Sequence, residues 1–226
     1  MKTANFDPKE ILSELLVQRE PSDSELDDQI MLAILRELRH GSPMQKLPRD
    51  CFGLARMDSF TCFIQNGFPK TECPRFQERF HHCIEVLIAL EKIEIRGKKI
   101  RALYGHSLPG VIVGEMKWPN SHLFHATQKR HLNSIFKHGL RPQGRTWVHL
   151  TTSPKYASEI LTNHSYQGRP VLLRIIPELL ESHDITFRKP NSHVWLANRI
   201  PSVAIKVSEP NGHSEIDLQA VENAMN

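Results

Sequence analysis

The sequence lacks any hydrophobic run of the roughly 18 residues that a membrane-spanning helix needs. Its N-terminus also lacks the basic-then-apolar pattern of a secretory signal peptide. At 226 residues, 39% of them hydrophobic, the chain can bury the core of one large domain or of two small ones. We therefore expect a soluble, cytoplasmic protein that makes no membrane contact.

Two common nucleotide-binding motifs are absent as well. The sequence contains neither G-x-G-x-x-G nor G-x-x-x-x-G-K-[ST], so a dinucleotide or a triphosphate would have to bind by other means. Cysteine is scarce: Cys51, Cys62, Cys73 and Cys83 include no C-x-x-C pair. Because this spacing fits neither a zinc ribbon nor a redox motif, we predict reduced thiols and no metal site.

Charge is distributed unevenly along the chain. The formal net charge is +4, yet the first 35 residues hold three Lys or Arg against eight Asp or Glu, which leaves +9 on the remainder. A basic body attracts polyanions, and the thirteen histidines would add positive charge at mildly acidic pH. This is weak support for nucleic-acid binding, because many proteins of similar charge bind none.

The first half of the chain is predicted to be helical and to end in a β-hairpin. Apolar spacing and capping signals predict four helices: Pro8 to Arg19, Ser22 to His40, Met57 to Gln65 and Pro74 to Lys92. The hairpin is predicted from Ile93 to Tyr104, with a turn at Gly97. Leaving aside the acidic extra helix at 8–19, three helices followed by a hairpin outline a winged helix.

The second half of the chain is richer in short β-strands. They are predicted at Leu123 to His125, Trp147 to Leu150, Val171 to Ile176, Val194 to Leu196 and Ser202 to Val207. Two helices interrupt them, one from Thr127 to Gly139 and one that Ser153 caps. The predicted fold class is α+β, without the regular repeat of a Rossmann domain. The predicted domains are 1–117 and 118–207, joined by a linker at 114–120 and followed by a polar tail at 208–226.

Several polar residues end regular elements and are candidates for a site. Arg39 and His40 close a helix, where cationic side chains also favour the helix dipole without any function. His125 and His149 each end a short apolar strand on either side of one helix, which is the layout of a nucleotide-binding half-domain. Taken singly, each of these residues has an ordinary structural explanation.

Their joint order is more specific than any one of them. Six motifs follow one another: Leu38-Arg39-His40, Ile100-Arg101-Ala102 with Gly105-His106-Ser107, His125-Ala126-Thr127, Gly139-Leu140, Arg145 with Val148-His149-Leu150, and Val194-Trp195-Leu196. In this order the sequence resembles the RNA 2′-phosphotransferase family, the enzymes that remove the splice-junction 2′-phosphate of RNA using NAD.

The resemblance implies both an architecture and a reaction. The architecture is a winged-helix-like N-terminal lobe that binds RNA and phosphate, with an ADP-ribosyltransferase-like C-terminal lobe that binds NAD. In the reaction, the RNA 2′-phosphate displaces nicotinamide from NAD, and a ribose hydroxyl then attacks phosphorus. The products are ADP-ribose 1″,2″-cyclic phosphate and a 2′-OH RNA. The implied partners are RNA with an internal 2′-phosphate and NAD as co-substrate, with no metal, and we expect a monomer.

The resemblance also implies roles for individual residues. The catalytic set comprises Arg39, His40, Lys92 and Arg145, whose arginines suit phosphate oxygens and whose histidine suits proton transfer. The residues expected to bind NAD are His106, Ser107, His125, Thr127, Gly139, His149, Leu150 and Ser153.

The chain departs from the family pattern at four places. Lys92-Ile93 stands where the family has Arg-Phe, so either Lys92 or Arg96 would supply the missing cation. Tyr104 replaces a Gln, and Ala126 replaces a Gly. At the fourth place, Ser192-His193 replaces Asn-Gly.

Two alternative functions follow from these departures. One is an ADP-ribosyltransferase that modifies a terminal phosphate of nucleic acid, or a protein, and stops at the adduct. The other is a module that binds RNA and NAD or ADP-ribose without turnover.

Overall fold

The chain folds into two compact units that divide between Ile112 and Val113, five residues before the predicted boundary. The computed structural model describes residues 21–42, 46–68, 73, 75–162 and 170–208. The predicted helix at 8–19 and the predicted tail beyond Ser208 lie outside these residues. The predicted linker at 114–120 is wrong in part, because Glu115–Met116 forms an edge strand of the second unit.

The first unit combines three helices with a small antiparallel sheet. The helices are α1 (Pro21–His40), α2 (Met57–Gln65) and α3 (Phe76–Ala89), and the strands are β1 (Ala55–Arg56), β2 (Ile93–Arg96) and β3 (Lys99–Ala102). The strand order is β1-β3-β2. The predicted hairpin is confirmed, with Ile95 opposite Ile100.

Helix ends in this unit follow local signals. Gly41, at φ +68, ends α1 and donates its N–H to the Glu37 carbonyl at 2.9 Å, as expected of a glycine after the last helical turn. Helix α3 is shorter than predicted. Glu91 adopts φ +50 after its last turn, and the N–H of Lys92 then donates to the Leu87 carbonyl at 2.9 Å. Lys92 therefore lies at the mouth of the hairpin instead of on the helix.

A continuous hydrophobic core joins these elements. Ile30, Ile34 and Leu38, spaced four residues apart on one face of α1, are completely buried. They pack with Phe60 of α2 and Ile100 of β3 in one cluster. Because Leu38 points into this core, Arg39 and His40, which follow it, lie nearer the surface at the end of α1.

The second unit is built on a seven-stranded sheet in which all pairings between the described strands are antiparallel, unlike the parallel βαβ repeat of a Rossmann domain. The strands are β4 (Glu115–Met116), β5 (Leu123–Thr127), β6 (Val148–Thr151), β7 (Val171–Ile175), β8 (Phe187–Lys189), β9 (Val194–Ala197) and β10 (Ile205–Ser208). Their order in the sheet is β10-β7-β5-β6-β9-β8-β4. The helices are α4 (Leu132–His138) and α5 (Pro154–Thr162).

The sheet of the second unit carries side chains into two apolar clusters. Leu150, Leu173 and Trp195 belong to the larger cluster, while Phe124 and Leu172 pack against Ala157 of α5. Among the residues described, no helix has the length and apolar character needed to cross a membrane. The four cysteines are free thiols, two exposed and two buried.

Candidate functional site

The predicted site residues are divided between the two units. Those in the first unit are Arg39, His40, Lys92, His106 and Ser107; those in the second are Arg145, His125, Thr127, Gly139, His149, Leu150 and Ser153.

The end of α1 is tied to the segment that follows β3. The Nδ1 atom of His40 lies 2.8 Å from the Oγ atom of Ser107, and the N–H of Ser107 donates to the Arg39 carbonyl at 3.0 Å. Ser107 therefore holds both the backbone and the imidazole of the helix end. Two motifs that lie 67 residues apart in the sequence meet here.

Tyr104 brings a third predicted residue to the same place. The guanidinium carbon of Arg39 lies 5.1 Å from the centroid of the Tyr104 ring, and the Nζ atom of Lys92 lies 5.3 Å from it. Lys92 also donates a hydrogen bond from Nζ to the tyrosine hydroxyl at 2.6 Å. Arg96, the other candidate for the missing cation, pairs instead with Glu94 at 3.0 Å and is exposed. Of the two candidates, Lys92 and not Arg96 thus contacts Tyr104, the residue that the Arg39 guanidinium also approaches.

One carboxylate lies in the last turn of α1, and it is neutralised. Arg49 donates from Nη2 to the Oε1 atom of Glu37 at 2.6 Å and to the Glu37 carbonyl at 2.8 Å. Both side chains of this ion pair are largely buried, so little water competes with Arg49 for the Glu37 carboxylate. The helix end therefore presents its cations without a competing negative charge from Glu37.

His106, which the sequence predicts to bind NAD, is a buried residue of the first unit. Its side chain is only 2% exposed, and its Nε2 atom lies 2.9 Å from the Ala102 carbonyl oxygen. Burial, together with the nearby Arg39 and Arg101, lowers the pKa of His106 to about 4. The neutral ring donates to β3 and fixes the loop that leads to Ser107.

In the second unit, His125 joins two neighbouring strands. Strand β5 pairs with β6 where Phe124 stands opposite Thr151. At the next residue, the imidazole of His125 donates from Nδ1 to the His149 carbonyl at 2.9 Å. Burial lowers the pKa of His125, so the ring is neutral near pH 7 and its Nε2 atom is a hydrogen-bond acceptor. Thr127, at the end of the same strand, is a buried polar residue.

Two other residues predicted to bind NAD, Leu150 and Gly139, take part in packing within the second unit. The side chain of Leu150 is 3% exposed and belongs to the hydrophobic core. Gly139 has φ +75, and a Cβ atom there would lie 2.2 Å from the Ile200 carbonyl oxygen. That carbonyl accepts the N–H of Leu140 at 2.8 Å, so the missing side chain allows the two backbones to meet.

Ser153 caps α5, as its sequence context predicts. Its Oγ atom accepts the N–H of Tyr156 at 3.2 Å, while its own N–H donates to the Thr151 hydroxyl at 3.2 Å. The ring of Tyr156 lies 6.0 Å from that of His193, one of the residues that depart from the family pattern. The hydroxyl of Ser153 is thus engaged in starting the helix.

The second unit also contains a cation that the sequence motifs did not indicate. Arg188 of β8 stands opposite Leu196, and Leu196 stands opposite His149, so the three side chains share one face of the sheet. The Arg188 guanidinium lies 5.9 Å from the Trp147 ring centroid and donates to the Gly114 carbonyl at 2.8 Å. Only the strand register could have shown this. Arg145, in the exposed loop before β6, has its pKa lowered by partial burial.

Comparison with known proteins gives the same family as the motif order. The family model described as RNA 2′-phosphotransferase, Tpt1 / KptA family, matches residues 27–199. A probable RNA 2′-phosphotransferase of Acetivibrio thermocellus is 38% identical over 138 residues, which are 60% of this chain and 75% of the relative. One from Thermococcus kodakarensis is 35% identical over 140 residues, 62% of this chain and 76% of the relative.

A more distant relative covers more of the chain. A probable RNA 2′-phosphotransferase of Streptomyces coelicolor is 28% identical over 176 residues, which are 77% of this chain and 92% of the relative. The family match spans both units, including the end of α1 and the strands that carry the two histidines. This chain therefore belongs to the RNA 2′-phosphotransferase, Tpt1 / KptA family.

Proposed function

We propose that this protein is an NAD-dependent RNA 2′-phosphotransferase, which moves an internal 2′-phosphate of RNA to NAD. One observation carries the proposal: Lys92, far along the sequence from the adjacent Arg39 and His40, meets them around Tyr104 and Ser107 at the end of α1. Family membership supports it. We assign a winged-helix-like fold to the first unit and an ADP-ribosyltransferase-like fold to the second.

The cations of the first unit suit a phosphate monoester. A 2′-phosphate is a nucleophilic anion near neutral pH, so the protein must hold it in line with its target more than deprotonate it. Arg39 offers a planar fork for two phosphate oxygens, and Lys92 adds a point charge. In the first step a phosphate oxygen bonds to the ribose carbon of NAD, and the bond from that carbon to nicotinamide breaks.

His40 is the residue we assign to proton transfer in the second step. There the 2″-hydroxyl of the ADP-ribose loses its proton and bonds to phosphorus, the bond from phosphorus to the RNA 2′ oxygen breaks, and that oxygen gains a proton. Histidine exchanges protons near neutral pH. Ser107 orients the imidazole through its contact with Nδ1.

The second unit contains residues whose chemistry fits NAD. Because Nδ1 of His125 donates to the His149 carbonyl, the neutral ring can accept a ribose hydroxyl at Nε2. Thr127 offers a hydroxyl on the same strand. We assign Arg145 to binding the 2′-phosphate of the RNA. As co-substrate, NAD supplies the electrophilic ribose carbon and the nicotinamide leaving group.

One assay tests the proposal and its alternatives. The protein is incubated with NAD and an oligonucleotide carrying one internal 2′-phosphate, with the 2′-OH oligonucleotide as control, and the products are identified by mass spectrometry. We expect nicotinamide, ADP-ribose 1″,2″-cyclic phosphate and 2′-OH RNA, all abolished in Arg39→Ala. A stable ADP-ribose adduct would support the transferase that stops after the first step. Binding without nicotinamide release would support the non-catalytic module and overturn the proposal.

A further inference from the structure

We propose that Tyr104 is a positioning residue that holds Lys92 and Arg39 together as one phosphate-binding pair. This inference rests on the proposed function, because it assigns the arrangement of the same phosphate site. Its basis is two contacts with different parts of one side chain: the hydroxyl of Tyr104 accepts from Nζ of Lys92 at 2.6 Å, and the ring lies 5.1 Å from the guanidinium carbon of Arg39.

Tyr104 contacts the two cations through different parts of its side chain. The face of an aromatic ring carries negative electrostatic potential and attracts a cation within about 6 Å of its centroid, as the ring does for the Arg39 guanidinium at 5.1 Å. Tyr104 is 9% exposed, and such an attraction is stronger where water is excluded. The ring therefore restrains Arg39, while the hydroxyl restrains Lys92.

The hydroxyl of Tyr104 restricts the orientation of the Lys92 side chain. A lysine ammonium lies on a flexible four-carbon chain and lacks the planar fork of arginine, so it is poorly preorganised for phosphate. The hydrogen bond to Tyr104 restricts that chain. The backbone of Lys92 is fixed as well, because its N–H donates to Leu87 and its carbonyl accepts from Leu103, each at 2.9 Å. Both ends of the lysine are thereby anchored.

A purely structural role for Tyr104 makes a different prediction. If the ring only fills space at the hairpin, its hydroxyl is dispensable and Tyr104→Phe leaves phosphate binding unchanged. If Tyr104 positions Lys92, the hydroxyl matters only while the ammonium is present. The two residues then behave as a coupled pair.

The experiment measures how strongly the protein prefers a phosphate. The dissociation constants of the full chain for a 2′-phosphorylated oligonucleotide and for its 2′-OH counterpart are measured by fluorescence anisotropy without NAD. Their ratio is the phosphate preference, and thermal unfolding is followed in parallel. The variants are Tyr104→Phe, Lys92→Met and the double substitution. Lys99→Met is the matched control, because Lys99 lies on the same hairpin but pairs with Asp50 at 3.0 Å.

We expect Tyr104→Phe to lower the phosphate preference about tenfold, the size of one hydrogen bond to a charged group. Its melting temperature should stay close to that of the wild type, because the ring remains. In the Lys92→Met background, Tyr104→Phe should change the preference less than twofold. Lys99→Met should leave it unchanged.

Three results would overturn the inference. An unchanged phosphate preference in Tyr104→Phe would show that the hydroxyl has no role. An equal loss in both backgrounds would show that Tyr104 acts independently of Lys92. A wild type without any phosphate preference would overturn the proposed function together with this inference, whereas the first two results leave the proposed function standing. If Tyr104→Phe is less stable than the wild type, all four proteins of the comparison are measured at a temperature at which the thermal unfolding curves show each of them folded.

Discussion

Gly105 lies directly against the guanidinium of Arg39. A Cβ atom at position 105 would stand 3.0 Å from Nε and 3.1 Å from Cδ of Arg39, closer than side chains normally approach. Gly105 also has φ +86, in the region that favours glycine. The glycine of the G-H-S motif therefore fixes how closely the backbone approaches the proposed phosphate-binding arginine.

The first prediction concerns this contact. Gly105→Ala should displace the Arg39 side chain by a few tenths of an ångström. Nicotinamide release on a 2′-phosphorylated oligonucleotide should fall up to about tenfold, because misplacing a positioning group by about 1 Å costs about a hundredfold. Gly97→Ala is the matched control: Gly97 has φ +59, but a Cβ atom there meets nothing within 4 Å. Both variants should lose about 1 kcal/mol of stability through backbone strain. Equal activity in the two variants would contradict the role of the contact.

The second prediction concerns stability in acid. The pKa of His106 is about 4 in the folded protein and 6.5 ordinarily, so between these values the unfolded chain binds the extra proton. The free energy of unfolding should therefore fall as the pH drops from about 6.5 towards 4, with His106 contributing up to about 3 kcal/mol of the loss.

Urea denaturation at a series of pH values measures this effect. His106→Gln keeps a donor for the Ala102 carbonyl but cannot be protonated, so its stability should depend less on pH in this range. His125, whose pKa is also lowered, is the same in both proteins and cancels in the difference. Parallel curves for His106→Gln and the wild type would show that His106 is not the group responsible.

The third prediction separates the two nitrogens of His125. In His125→Asn the side-chain amide can replace Nδ1 as donor to the His149 carbonyl, but nothing replaces Nε2. We expect this variant to keep its melting temperature and to bind NAD at least tenfold more weakly, as measured by calorimetry. His125→Leu, which loses both nitrogens, should also be less stable. If His125→Asn binds NAD with wild-type affinity, Nε2 of His125 does not take part in NAD binding.

The fourth prediction tests the structural role of Gly139. Gly139→Ala places a Cβ atom 2.2 Å from the Ile200 carbonyl oxygen and should lower the free energy of unfolding by about 3 kcal/mol or more. Gly144→Ala, at φ +63 with nothing within 4 Å, should cost about 1 kcal/mol. Calorimetry below the unfolding transition should give unchanged NAD affinity for Gly139→Ala. Weaker NAD binding by the folded variant would show that Gly139 contributes to the NAD site as well as to packing.

Local patterns were sufficient to predict most of the secondary structure. The bounds of α2, the start of α5 at the Ser153 cap and the β2–β3 hairpin agree with their sequence signals. The strands that the sequence missed are short. β1 and β4 have two residues each and β8 has three, too few to show an alternating pattern. Such strands form because a neighbouring strand offers an edge, as β8 does to β4.

The motif order predicted a set of site residues, and the structure shows how deeply each of them is buried and what it contacts. Arg39 and His40 were found from their place at a helix end, and the structure joins them to Ser107. His106 and Leu150 belong to equally specific motifs, yet their side chains are buried. A motif records which residue types occur together, and it does not distinguish those that touch a ligand from those that support the ones that do.

The sequence by itself determined the family, the α+β class and the positions of the helices, because these depend on spacing and capping over a few residues. The tertiary structure alone decided that Lys92 and Arg39 both contact Tyr104, and that burial lowers the pKa of His106 so that its ring is neutral. Each of these depends on burial or on contacts between segments far apart in the chain. Such contacts arise only when the helices and strands pack, so no local pattern encodes them.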